Sequence, residues 1–249
     1  MKRCFALLPL VTLLSGCMVT QPQDTPVSQM RVSEPTGGAD YRLYVPSYYD
    51  VQLDWPLVVT LHGTHGWDSS GMQIREWKAL AEEKGFIVVA PDLRSVQGIL
   101  PVPRGLRKND LASDDKTILA VIDDVAGRYN VDRSSVMLTG FSAGGYPLFY
   151  TGLRHPERFN MLVARACNSS EDIFGEAELT DRSKRLPVRV FWGKDDLGVI
   201  AEQSWAAIRW LSEHGMKDLA WDKTDGGHLR RPEKAYAYWR KVLPPRHQR

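Results

Sequence analysis

Cysteine is scarce in this chain of 249 residues: Cys4, Cys17 and Cys167 are the whole supply. Three cannot build a zinc module on cysteine pairs, nor a disulfide framework. Charge of one sign is missing as well. Lysine and arginine number 32 against 30 acidic residues, and Lys2 and Arg3 account for the surplus. A balanced remainder without a long basic run offers no electrostatic footprint for nucleic acid, so that partner class is excluded. There is no internal repeat, and no low-complexity tract beyond Met18 to Ser28. The apolar stretch from Phe5 to Leu14 is too short for a permanent membrane-spanning helix.

What that stretch does have is a signal-peptide plan, with Lys2 and Arg3 as a positive n-region and Phe5 to Leu14 as the apolar core. It ends in Leu13-Leu14-Ser15-Gly16-Cys17, which resembles a bacterial lipobox. The resemblance implies cleavage before Cys17, diacylglycerol on its sulfur and an extracytoplasmic protein held to a membrane. Met18 after the cysteine leans toward the outer membrane and periplasm. Residues 1–16 are then signal, 17–28 a lipidated cysteine with a flexible stalk rich in Gln, Pro, Thr and Ser, and 29–249 one domain. Cys167 would remain as a single thiol, which leaves no intrachain disulfide.

Within the domain, apolar runs of strand length alternate with stretches of helical period, the pattern of an α/β fold with a mostly parallel sheet covered on both faces. Tyr41 to Val45 alternates and reads as an edge-proximal antiparallel strand. Leu57 to Leu61 and Phe86 to Ala90 are continuous and β-branched, as strands buried on both faces should be. Val136–Thr139, Met161–Ala166, Val188–Trp192 and the short Leu219–Trp221 complete the strands. Helices are predicted over Ile74–Lys84 with Gly85 as a stop, Asp114–Tyr129, the segment after Ser142 to about Leu153, Ala201–His214 and Glu233–Val242.

A strand enters and a helix leaves Thr139-Gly140-Phe141-Ser142-Ala143-Gly144-Gly145. That is the context of a nucleophile elbow: the flanking glycines remove Cβ atoms from a sharp turn, and Ser142 projects at a helix N-terminus where negative charge is favoured. A serine hydroxyl needs a base, and the base needs an orienting acid. Asp195 and Asp196 compete for the acid role in the loop after Val188–Trp192. His228, behind Asp225-Gly226-Gly227, is the base, because a paired-glycine loop can swing an imidazole over the serine; His62, His65, His155, His214 and His247 fit the role less well by position. After Leu57–Leu61 comes His62-Gly63-Thr64-His65-Gly66. Reading His62 and His65 as metal ligands lacks a third ligand, so no metal is expected.

Ser142, the Gly193-Lys194-Asp195-Asp196 loop, His228 and the His62-Gly63 loop fall in the chain order of the α/β-hydrolase superfamily, and the chain resembles it over nearly the whole domain. It is most similar to the group of polyhydroxybutyrate depolymerases and feruloyl or acetylxylan esterases, through Arg128-Tyr129-Asn130-Val131-Asp132 and Val136 to Ser142. The resemblance selects Asp196 over Asp195 as the acid, by the G-x-x-D turn, and implies the backbone N–H groups of Thr64 and Ala143 as the oxyanion hole. It implies a Ser-His-Asp esterase that works through an acyl-enzyme and without a cofactor. Two departures stand out: no disulfide, and Ala143 where the group often carries Asn. The segment Asn168 to Pro187 is short and charged, which predicts an open site and a polar, polymer-linked or sugar-linked ester substrate. His62, Trp67 and Trp192 are candidates to line it, although tryptophan there is more often simple packing. Rival readings are a serine peptidase of the prolyl-oligopeptidase type and a lipoprotein that binds a ligand without turnover.

Overall fold

A computed structural model describes residues 25–32, 38–96, 104–174 and 177–248. The expected signal peptide, Cys17 and most of the stalk lie outside the described residues. Among those described, eight strands form one sheet in the order β1-β2-β4-β3-β5-β6-β7-β8. These are β1 (Ser28–Val32), β2 (Ala39–Tyr44), β3 (Trp55–Leu61), β4 (Ile87–Pro91), β5 (Val131–Phe141), β6 (Met161–Arg165), β7 (Val188–Gly193) and β8 (Leu219–Thr224). The first two are antiparallel to their neighbours, and the rest run parallel from β4 through β8.

Both faces are covered by helices, which is why the central strands are apolar without alternation. Leu57, Val59 and Leu61 of β3 point into a core shared with α2 (Arg104–Arg128), α3 (Gly145–Arg154) and α6 (Gly198–Glu213). Val58 points the other way, into a core with α1 (Ser70–Lys84) and α7 (Pro232–Trp239). Each large side chain so buried contributes roughly 1.5–3 kcal/mol. Local signals agree with the packing. Ser69 caps α1 by accepting from the Met72 amide, and Gly85 ends it in the left-handed region at φ 74°.

Some boundaries move. The stalk was expected to run to residue 28, yet the fold reaches back to Thr25: its hydroxyl donates to the Val45 carbonyl, and β1 already begins at Ser28. Two short helices, α4 (Glu171–Phe174) and α5 (Asp181–Arg185), occupy the charged segment before β7. Helix α2 starts ten residues before the predicted Asp114, because its first turns are polar and carry no apolar period.

The C-terminus is tied down by a carboxylate. Asp132, on β5, accepts from Ser134, Ser135, Arg246 at 2.6 Å and His247 at 2.8 Å. Burial alone would raise its pKa, but these hydrogen bonds outweigh burial and hold it well below the usual carboxylate range. A lowered folded pKa means stabilisation that is full above the unfolded value and lost as pH falls below about 4. Asp132→Asn is therefore expected to lower stability by about 2–4 kcal/mol at pH 7, measured by urea unfolding, with the gap to wild type narrowing on acidification below about pH 4.

Candidate active site

Strand order places β4 and β5 on opposite sides of β3, so the chain reverses direction of travel across the sheet there. Ligand crevices in open α/β sheets form beyond the carboxyl ends of the strands at such a switch point. Ser142 sits there, immediately after β5, as the first residue of a short 3-10 turn (Ser142–Gly144) that leads into α3. Its φ is +53°, a left-handed conformation that costs a non-glycine residue on the order of 1–3 kcal/mol. The surroundings enforce it. A Cβ on Gly140 would lie 2.4 Å from the Gly144 carbonyl oxygen, and one on Gly144 would lie 2.5 Å from that of Leu61. Past the turn, the Asn168 amide donates to the Ser142 carbonyl at 2.8 Å.

The loop after β3 passes directly beside this turn: a Cβ on Gly63 would be 3.1 Å from that of Ser142. Within the loop, the Gly63 N–H donates to Asp68 Oδ2 at 2.7 Å, and the Thr64 carbonyl accepts from both Trp67 and Asp68 amides. Thr64 is thereby held at the cavity wall next to Ser142. Ala143 is fully buried in the first turn of the helical segment, where N–H groups precede any intrahelical acceptor.

His228 and Asp196 meet across the ends of β7 and β8. Nδ1 of His228 lies 2.8 Å from Asp196 Oδ1, and the carboxylate has no exposed surface. The same oxygen accepts from the Leu197 amide at 2.8 Å, and Oδ2 from the Gly193 amide at 3.2 Å. Burial pushes the Asp196 pKa up, but the hydrogen bond and charge of His228 and the two backbone donors bring it below its ordinary value. Asp195 is exposed and engages Gly226 only through its backbone N–H, so of the two aspartates Asp196 is the one on the histidine. The β7 end and the histidine loop are pressed together, since a Cβ on Gly193 would lie 2.2 Å from the carbonyl oxygens of Gly226 and Gly227. The Phe141 ring centroid lies 4.6 Å from that of the imidazole, and the Arg230 guanidinium lies 4.9 Å from the same Phe141 ring.

Ser142 and His228 line one cavity of about 630 Å³, with Thr64, Trp67, Asn168, Leu197 and Arg230 among its other walls. Among the described residues no hydrogen bond joins Ser142 Oγ to His228; what they share is the cavity. Serine–histidine contacts of this kind are often long without substrate and tighten in the complex.

Of the three lining candidates, the structure keeps Trp67, which is 69% exposed at the cavity mouth. His62 and Trp192 are corrections. His62 is wholly buried: its Nε2 accepts the Leu93 N–H at 3.0 Å, which leaves Nδ1–H to donate to the Gly63 carbonyl at 2.8 Å. Burial lowers its pKa, and the neutral ring serves as a backbone clamp. Trp192 is buried under Trp205 and Trp221 instead of facing the cavity, because side chains alternate along β7. The rim also departs from expectation. The charged segment before β7 contributes no described residue from Ser169 to Pro187 to the cavity, and the mouth is apolar, built from Trp67, Leu197 and Val199. Phe174 draws that segment away by stacking 4.8 Å from Trp210.

Sequence reasoning missed the polar layer beneath the site. Arg165, fully buried at the end of β6, donates to Thr139, Thr60, Gln73 and Glu76. Arg230 reaches Asp68 at 3.1 Å and Glu76 at 3.4 Å, so this layer ties the loop of Thr64 to the loop of His228. The available signal was an arginine inside an otherwise apolar strand. Cys167, the described free cysteine, is buried, and burial pushes its thiol up to about 12, so it is chemically quiet.

A strained serine turn and an acid–histidine pair, both beyond the carboxyl ends of a mostly parallel sheet, define an α/β-hydrolase of the serine type. Residues 39–248 match the family described as "Putative esterase", and the chain belongs to this Esterase family. It is 28% identical over 160 residues to the bifunctional acetylxylan esterase/xylanase XynS20E of Neocallimastix patriciarum, a match covering 64% of this chain and 21% of that protein. It is 25% identical over 152 residues to dipeptidyl-peptidase 5 of Porphyromonas gingivalis, covering 57% and 22%. The chain thus matches about a fifth of the length of these curated relatives. In structure it is similar to the CE1 ferulic acid esterase AmCE1/Fae1A of Anaeromyces mucronatus, with a TM-score of 0.67, 16% identity and coverage of 87% and 89%.

Proposed function

We propose that this protein hydrolyses carboxylic esters by acyl transfer through Ser142, His228 and Asp196. The observation that carries the reading is the convergence of the Ser142 turn, with its imposed φ of +53°, and the buried Asp196–His228 pair on one cavity. His228 Nε2 takes the Ser142 proton as Oγ attacks the ester carbonyl; the proton then passes to the departing alcohol. Asp196 fixes the tautomer with Nδ1 protonated and stabilises the imidazolium. The amides of Thr64 and Ala143 receive the oxyanion, each such donor being worth about 3–4 kcal/mol in related chemistry. Water, deprotonated by His228, releases the acid from Ser142.

The apolar mouth of Trp67, Leu197 and Val199 suits an aromatic or short aliphatic acyl group, and its openness suits an alcohol that is a sugar or a polymer. The names of the relatives support acetylated or feruloylated polysaccharide as the substrate class. A peptidase is the second reading, favoured by the alignment with dipeptidyl-peptidase 5. Hydrolysis of p-nitrophenyl butyrate by wild type but not by Ser142→Ala tests the esterase reading; a dipeptidyl p-nitroanilide cleaved faster than every ester tested transfers the proposal to peptides. We also propose that lipid on Cys17 anchors the protein outside the cytoplasm. Wild type is expected in the detergent phase on Triton X-114 partitioning and Cys17→Ser in the aqueous phase; aqueous wild type refutes the anchor.

A further inference from the structure

The cavity wall beside Ser142 holds a polar side chain that the reaction above does not use. Asn168 follows β6, is only 3% exposed, and lines the cavity with Ser142 and His228. Its backbone N–H is committed to the Ser142 carbonyl at 2.8 Å, which ties its position to that of the nucleophile. Its side-chain Nδ2 donates to Gln203 Oε1 at 2.8 Å.

The orientation of both amides follows from proton accounting. Gln203 Oε1 also receives the Ser169 backbone N–H at 3.0 Å, and a backbone N–H can only donate. The Gln203 atom facing Asn168 and Ser169 is therefore oxygen, and Asn168 must present its NH2 group to it. The Ser169 hydroxyl locks the same stretch of α6 by donating to the Gln203 carbonyl at 2.7 Å. With NH2 so fixed, Oδ1 of Asn168 is fixed too, and it has no hydrogen-bond partner among the described residues. Two neighbouring polar groups on this wall, the Asp68 carboxylate and Nδ1 of His228, are already engaged. Asp68 receives Gly63 and Gln73 on one oxygen and Ser69 and Arg230 on the other, and Nδ1 of His228 is on Asp196.

An oriented, unpaired amide oxygen in the wall of a reaction cavity asks for a donor. Before substrate enters, solvent can serve it. Once the cavity is filled, either the substrate supplies a hydroxyl or N–H or the oxygen is left buried and unpaired. We infer that Asn168 is a specificity-determining residue that accepts a hydrogen bond from a hydroxyl or N–H group on the substrate, close to the scissile ester, with Gln203 holding it in that orientation. The inference rests on the ester hydrolysis proposed above. The tie to the Ser142 carbonyl keeps the acceptor near the reacting bond, so the donor belongs a few bonds from the carbonyl, on the acyl or on the alcohol side.

Two substrate pairs separate those sources. p-Nitrophenyl 3-hydroxybutyrate against p-nitrophenyl butyrate places the hydroxyl on the acyl side; 2-hydroxyethyl butyrate against ethyl butyrate places it on the alcohol side. In wild type, the hydroxylated member of one pair is expected to be preferred by about 5- to 150-fold in kcat/KM, the range for leaving one buried acceptor unpaired. In Asn168→Ala that preference is expected to fall to about one, chiefly because kcat/KM for the unhydroxylated member rises once no unpaired oxygen is left against it. Gln203→Leu keeps Asn168 but frees its amide, and is expected to lose most of the preference as well, which guards against a folding defect in the first variant. A wild-type preference near one in both pairs overturns the inference, as does a preference that survives in Asn168→Ala. Turnover of the unhydroxylated esters with no preference sinks this inference alone, whereas no turnover of any of the four esters sinks it together with the ester-hydrolysis reading.

Discussion

Ser142→Ala is expected to lower kcat for p-nitrophenyl butyrate by about 10⁴- to 10⁶-fold while leaving the melting temperature within about 2 °C of wild type. The size follows from the role: with Oγ gone there is no acyl-enzyme, and His228 and the oxyanion donors can only assist direct attack by water. Stability should barely move, because alanine at φ +53° carries the same backbone strain as serine, and the strain is imposed by neighbours that the substitution leaves in place. Initial rates at saturating ester, paired with thermal unfolding, check both halves. Residual activity within tenfold of wild type would place the nucleophile elsewhere.

The second large effect separates two adjacent aspartates. Asp196→Asn is expected to reduce kcat by about 10³- to 10⁴-fold, and Asp195→Asn by less than about threefold. Asp196 uses both oxygens as acceptors, one toward His228 and Leu197 and the other toward Gly193. An asparagine has one oxygen. Either its NH2 faces His228 and Leu197, which favours the wrong imidazole tautomer and sets donor against donor, or it faces the Gly193 N–H. Asp195, exposed to solvent, has no such obligations. Because the folded pKa of Asp196 lies below its ordinary value, its contribution is complete at neutral pH and disappears only as pH falls below about 4. The wild-type rate should therefore show no acid limb from Asp196 above about pH 4. A larger loss in Asp195→Asn than in Asp196→Asn, in a pH–rate series on the same ester, would reverse the assignment.

Much of this site was legible in the chain because its parts are local. A glycine two residues to either side of Ser142 is a requirement of one turn, and Gly140 and Gly144 prove to be in van der Waals conflict with any Cβ. The buried strands announced themselves by continuous β-branched runs, since both sheet faces are covered. Trp192 and His62 were misread for one shared reason. Proximity in sequence to a functional loop says nothing about which face a side chain takes, and pleating or a backbone acceptor decides that. Strand β1, the early start of α2 and the polar layer of Arg165, Arg230, Asp68 and Glu76 had no periodic signature to find.

By itself, then, the amino-acid order determined the fold class, the serine turn, the histidine loop and the two candidate acids, because each depends on residues within a few positions of one another. Only tertiary structure decided that Asp196 and not Asp195 meets His228, that the cavity mouth is apolar, and that Asn168, a cavity-lining residue, keeps an unpaired oxygen. Those outcomes depend on contacts across 32 or more positions of chain, between His228 and Asp196 and between Asn168 and Gln203. Which polar atom is left over is a property of the whole hydrogen-bond network, and no stretch of sequence contains it.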